Sequence, residues 1–216
     1  PAHVRLPPGY RLLHPMSRGV FWANYLVHHI ESGQDLVLWL LDRDEVPTEV
    51  PNKIKADLLK IGAANVRGFN GAIAVGDIDD KIFAASFAND GESFAEIVNE
   101  EGLLPEDKAV PLIQDLNLTL RPLHEAGISL RGIRPERLYR DTSTGKTSID
   151  VVATIICDEG LVSSSRFDDS VDLAFLAPER YDGMLPAGSA TSDIFAIGAV
   201  LYYMMTGQLI HEESDP

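Results

Sequence analysis

The sequence reads as an α+β chain in two parts, β-rich first and helical second. Three observations carry that expectation. Short runs of aromatic and branched residues crowd the chain before Gly91, and helical periodicity takes over after it. The 216 residues, 45% apolar and 24% charged, have the profile of an ordinary globular protein long enough to bury a substantial core.

The elements follow in order. FWANYLVHHI (21–30) and DLVLWLL (35–41) flank ESGQ, where Gly33 suits a hairpin turn. A helix is expected over roughly 51–62, with Ile54, Leu58, Leu59 and Ile61 on one side. FNGAIAVGDID (69–79) and DKIFAASFAND (80–90) read as a second hairpin. Residues 106–125 line up Val110, Ile113, Leu116, Leu120 and Leu123 on one helical face, and Pro122 is expected to end or kink that helix. RLYRD and KTSIDVV read as a small hairpin over 137–152, and a polar Ser- and Asp-rich loop over 163–172. SDIFAIGAVLYYMMTG (192–207) reads as a helix apolar on every side and closed by Gly207; such a helix is expected to be surrounded by protein.

Charge narrows the partners. The 33 acidic and 18 basic residues give a formal charge of -15, which repels a polyphosphate backbone and argues against nucleic acid. Cys157 is the only cysteine; it sits in the apolar run ATIIC and reads as a buried, inert thiol. One cysteine allows no internal disulfide and points to a reducing compartment, so a cytoplasmic setting is expected. The longest apolar stretch, FAIGAVLYYMM (195–205), is too short to span a bilayer, and the first residues do not read as a signal peptide. A start at Pro1 rather than Met suggests a piece of something longer. His28 and His29 are adjacent in an expected strand, so they face opposite sides and do not chelate one metal.

Five segments carry chemistry by their order: MSRGVFWANYLV (16–27), DLVLWLL (35–41), LHEAGISLRGIRPERLY (123–139), LAPERY (176–181) and SDIFAIGAVLYYMMTG (192–207). Taken together they resemble, in order and spacing, the glycine-rich loop, lysine strand, catalytic loop, APE motif and following helix of protein kinases of the bacterial serine/threonine type. The resemblance implies a kinase-like two-lobed α+β fold. Residues 8–90 would form a small β-rich N-lobe with one helix, and 91–216 a helical C-lobe lacking the family's last helices.

Phosphoryl transfer depends on charges positioned around ATP and magnesium. At the position of the family's ATP-holding lysine stands Trp39. The HRD triplet reads Leu130-Arg131-Gly132, putting a glycine where the base belongs. The metal-binding asparagine is replaced by Arg137, a cation where a metal needs an oxygen. By spacing the metal aspartate falls on Asp150; Asp158, in Asp158-Glu159-Gly160, is the alternative and would need an insertion. The three glycines that close over phosphates read Ser17, Gly19 and Trp22. The resemblance assigns structural roles to Arg131, Pro135, His124, Glu179, Asp193 and Gly198, with Asp193 holding the catalytic-loop backbone.

These substitutions give the expectation of a pseudokinase, not an enzyme, with no cofactor and no metal, acting as a protein-interaction scaffold or allosteric regulator. A second reading keeps the pocket as a nucleotide or small-molecule sensor, with Arg137 holding an anion. A third is an atypical phosphotransferase built on Asp150, Asp158 or Glu159. Because the family's later helices cover the segment matching 192–207, a protein partner or second copy is expected on that helix. Ser163–Ser165, at the place of an activation loop, read as a solvated loop or a phosphorylation target.

Overall fold

The computed structural model describes residues 4–46, 48, 50–64, 71–157, 174–181 and 188–210. The chain divides into two units, residues 1–65 with 70–88, and residues 66–69 with 89–216.

The first unit holds a five-stranded antiparallel sheet in the order β1-β2-β3-β5-β4, made of β1 (Tyr10–Arg18), β2 (Trp22–His29), β3 (Gln34–Asp42), β4 (Ala74–Ile78) and β5 (Lys81–Ser86), with helix α1 (Val50–Ala64) between β3 and β4. The central strand β3 is buried without a break from Leu36 to Leu41, which explains why its sequence is an apolar run instead of an alternation. β1 lies at the sheet edge with nearly every side chain exposed, and its pairing with β2 slips at Leu12/His14 and Pro15/Ser17. Neither of its faces is buried, so no period-2 signal announces it as a strand. In α1, Ile54, Leu58 and Ile61 turn inward, while Leu59 is half exposed, contrary to expectation. At 100° per residue it has rotated off the face that Leu58 occupies. Arg43, just past β3, and Lys55 of α1 both bond the Asp77 carboxylate on β4. The Lys55 bond ties helix to sheet and is the chief cause of the lowered Asp77 pKa.

The second unit contains a small sheet ordered β6-β7-β8, from β6 (Glu92–Ser93), β7 (Leu138–Arg140) and β8 (Thr147–Ile149). Around it lie α2 (Phe94–Glu101), α3 (Glu106–Glu125), a 3-10 turn (Pro135–Arg137), α4 (Val151–Ile156), α5 (Pro178–Tyr181) and α6 (Ala190–Thr206). Ser93 and Glu96 form a reciprocal capping box that starts α2, a pattern legible as SFAE. Pro122 does not end α3, which runs on to Glu125. A proline forfeits one backbone bond, but Leu120 and Leu123 on either side are fully buried, and that packing carries the last turn.

Two further differences bear on function. The expected hairpin to 152 stops at Ile149: Asp150 caps a new helix, its carboxylate accepting the Ala153 N–H at 2.9 Å, so VVATII is helical despite its branched residues. Every residue of that helix, α4, is buried, and so is Cys157 behind it. Helix α6 begins at a Ser189 cap and ends at Gly207, whose φ of 71° supplies the left-handed stop. It is not enclosed all round among the described residues: Ile194 is 53% and Tyr202 39% exposed, and Gly198 between them faces open space.

Candidate functional site

In the second unit the segment 130–137 is held from below by one buried carboxylate. Asp193, near the start of α6, accepts the Leu130 N–H at 2.8 Å on one oxygen and the Arg131 N–H at 2.9 Å on the other. His124 Nε2, at the end of α3, donates to the first oxygen at 2.8 Å. Arg131 takes a left-handed φ of 69°, rare for a side chain of its size, and these bonds fix it there. Arg180 Nη1 donates to the Arg131 carbonyl at 3.1 Å, so the turn is clamped from α5 as well.

Gly132, expected at the base position, follows, and its surroundings are closed. A Cβ there would lie 2.7 Å from Arg137 Nη1, 2.7 Å from the Thr154 carbonyl and 2.9 Å from that of Cys157. The Gly132 N–H donates to Thr154 O at 3.0 Å. Arg137 Nη1 donates to the carbonyls of Gly132 at 2.7 Å and Cys157 at 2.8 Å, joining the loop to the end of α4. Glycine is required here by the approach of three groups; its backbone is not left-handed. The sequence alone presents Arg137 as a group able to hold an anion. Its guanidinium donates to two backbone carbonyls, a contact open to it because α4 brings the Cys157 carbonyl within reach.

Asp150 lies between this loop and the small sheet. Its Oδ1 caps α4 and its Oδ2 accepts the Asn89 amide at 3.0 Å. Burial pushes its pKa up to about 6, against the lowering effect of the Ala153 N–H and the Arg137 charge. Tyr139 is nearby, and burial reinforced by the Asp150 charge pushes its hydroxyl up to about 12. Sequence reasoning does not reach Asn89 and Tyr139, since Asn89 meets Asp150 across 61 positions and no local pattern marks it. Leu130 and Pro135 are buried; Glu179 accepts the Ser192 hydroxyl at 2.7 Å, which lowers its pKa. The alternative metal position Asp158-Glu159-Gly160 and the serines 163–165 lie outside the described residues.

The first unit holds the other candidate positions. Trp39 is buried on β3 and Trp22 lies beside it on β2, ring centroids 5.4 Å apart and tilted by 51°. The Trp39 indole N–H has no hydrogen-bond partner among the described residues. Trp22 folds back on the β1–β2 turn, where a Cβ on Gly19 would meet its Nε1 at 2.4 Å. Ser17 donates through its N–H (2.8 Å) and hydroxyl (2.7 Å) to Asn24 Oδ1. Ser17 is thus tied to β2, and Gly19 and Trp22 pack against each other.

Comparison with known proteins fixes the frame. Rad53 (residues 1–466, in complex with AMP-PNP) superposes with a TM-score of 0.74 at 14% identity, covering 96% of this chain and 51% of that one. The chain has the protein-kinase fold. Among curated proteins, CBL-interacting serine/threonine-protein kinase 3 of Arabidopsis thaliana is 24% identical over 217 aligned residues, 95% of this chain and 47% of its own length. CBL-interacting serine/threonine-protein kinase 16, also of Arabidopsis thaliana, is 33% identical over 141 residues, 59% of this chain and 28% of its own. The probable serine/threonine-protein kinase PknB of Lactococcus lactis is 26% identical over 136 residues, 62% of this chain and 21% of its own. No family model matches the chain. It spans about half or less of the length of these relatives.

One expectation is overturned here. Trp39, Gly132 and Arg137 lead the sequence reading to a chain that is not an enzyme, whereas its relatives are named serine/threonine-protein kinases, which points to an enzyme. The physical reason is that each absent stabiliser slows a transfer, by about 10²–10³, and does not forbid it. Among the described residues no helix is long and apolar enough to cross a membrane.

Proposed function

We propose that this chain is a regulatory module of the protein-kinase fold that works through contacts with other proteins and meets ATP·Mg²⁺ without the family's usual ligand set. The observation that best supports this reading is the closure around Gly132. Arg137 is engaged with two carbonyls, and each Asp150 oxygen already accepts a hydrogen bond. With Arg137 at the position expected of the family's asparagine, a magnesium ion would find one carboxylate, whose oxygens it would share with the Ala153 N–H and the Asn89 amide.

The partner side of the reading rests on α6. Ile194, Gly198 and Tyr202 form an exposed stripe on an apolar helix whose opposite side buries Ala196, Ile197, Val200 and Met204, and covering the stripe with a partner protein or a second copy would remove that apolar surface from water. A cytoplasmic setting fits the single buried thiol Cys157, and the net charge of -15 fits a protein partner better than nucleic acid.

The test is a thermal-shift titration with ATP·Mg²⁺. A ligand at a hundred times its Kd stabilises the folded state by about 2.7 kcal/mol, roughly 5–11 °C for a chain of this size. We expect no resolved shift at millimolar ATP·Mg²⁺; a rise of that size overturns the reading. Phosphate transfer, which the relatives lead one to expect of the whole protein, is measured in the same samples.

A further inference from the structure

A cavity of about 460 Å³ opens in the first unit, within the range of small-ligand pockets. The strand register says which face it is on. Ala23 pairs with Leu40 and Tyr25 with Leu38, whereas Trp39 pairs with Asn24 and Trp22 with Leu41. Side chains alternate along a strand, so Ala23, Tyr25 and Leu40 face away from Trp39. The cavity floor is thus on the face of the sheet that Trp39 does not occupy, while its rim reaches Gly19 and Trp22 of the β1–β2 turn.

Its construction follows from residue size and charge. The small Ala23 lies in the floor beside Tyr25 and Leu40, which leaves a hollow over β2. The N-terminal segment forms one wall through Val4 and Arg5, and the β4–β5 turn forms another through Ile78 and Asp79. Arg5 Nη1 bonds Asp79 at 2.9 Å across the rim and holds the two walls together. Asp79 itself has a φ of 49°, a strained turn residue fixed by that bond.

Most of the lining charge is internally compensated. Arg5 pairs with Asp79; Lys81 bonds Asp42 and lies 3.6 Å from Asp80. Asp42, Asp44 and Asp80 are close enough to suggest a cation site, but the Lys81 ammonium already stands among them. Arg18 is different. It ends β1 opposite Ala23, lines the cavity, and makes no ion pair among the described residues. The Tyr25 hydroxyl is also without a partner among them. A guanidinium and a phenol over an apolar floor match a ligand with one anionic group on a hydrophobic body.

We propose that this cavity binds a small organic anion with an apolar or aromatic body, its carboxylate or equivalent group on Arg18 and its body over Ala23 and Leu40. The test uses 4-phenylbutyrate and its uncharged amide as probes on the full chain, followed by backbone NMR and calorimetric titration. The expected result is saturable binding of the carboxylate, with shifts centred on residues 18–25, 40–42 and 78–81, and at least tenfold weaker binding of the amide. Arg18→Gln, at an exposed position, weakens the carboxylate at least tenfold, and Ala23→Leu fills the hollow and abolishes the shifts. The proposal is overturned by absence of saturable binding to the native chain, by equal affinity for the amide, or by unchanged affinity in Arg18→Gln.

Discussion

Asp150→Asn isolates one buried charge. In the folded protein the carboxyl titrates at about 6 instead of 3.8, because burial disfavours its ionised form more than the Ala153 N–H, Arg137 and Asn89 favour it. A folded-state pKa above the unfolded one means the folded state holds its proton more tightly. The stability this confers is complete below pH 3.8 and is lost as pH rises through about 6. The full shift of about two pKa units is worth about 3 kcal/mol, of which about 2 kcal/mol falls between pH 7 and pH 4. An asparagine side chain is neutral throughout, can keep the cap to Ala153 through its Oδ1, and can pair with a reoriented Asn89 amide. Relative to the native chain, the Asp150→Asn variant is therefore most favourable at pH 7 and loses about 2 kcal/mol of that advantage by pH 4. Absolute stability is no guide, because Asp77, Glu96, Glu101, Glu179 and Asp141 have lowered pKa values and destabilise the fold as pH falls. The assay is urea unfolding of both proteins at half-unit steps between pH 4 and 7.5, with the difference plotted against pH. Parallel curves would refute the buried, raised Asp150.

Three other outcomes follow from the same geometry. Gly132→Ala places a methyl within 3 Å of Arg137 Nη1 and two carbonyls and should cost about 1–3 kcal/mol in urea unfolding; an unchanged midpoint means the closure is absent. Asp193→Asn turns an amide N–H toward the Leu130 N–H and His124, and should destabilise the chain by about 2–4 kcal/mol; a loss under about 0.5 kcal/mol would show the clamp is not formed. Ile194→Asp puts a charge on the α6 stripe. Light scattering should show an assembly in the native protein that dissociates in the variant with its circular dichroism retained, whereas a native monomer rules out a second copy on that face.

Much of the frame is legible in the sequence because its signals are local. The β2–β3 hairpin, α3 and α6 announce themselves through branched runs around Gly33, the Ile113-Leu116-Leu120-Leu123 stripe, and an apolar run ended by Gly207. The sequence names Trp39, Gly132 and Arg137 as replaced positions from motif spacing alone. What is not legible depends on distant groups. α4 resembles a strand in sequence because Val and Ile favour strands; an Asp150 cap and complete burial override that propensity. β1 has no apolar face to betray it. The reach of Arg137 to Cys157 and of Asn89 to Asp150 follows only once the chain is folded, so the two carbonyls that Arg137 bonds are not legible in its local sequence. The step from those residues to a chain that is not an enzyme fails for another reason: local replacements cannot outweigh what the rest of the sequence shares with serine/threonine-protein kinases.

The closed loop is probed most directly by hydrogen exchange at the Gly132 and Thr154 amides. Gly132 donates to the Thr154 carbonyl, and Thr154 N–H donates to that of Asp150, so both should exchange slowly and at the same rate with or without millimolar ATP·Mg²⁺. Fast exchange at either amide in the free protein, or a change in rate when ATP·Mg²⁺ is added, would contradict a loop sealed by Arg137 and α4.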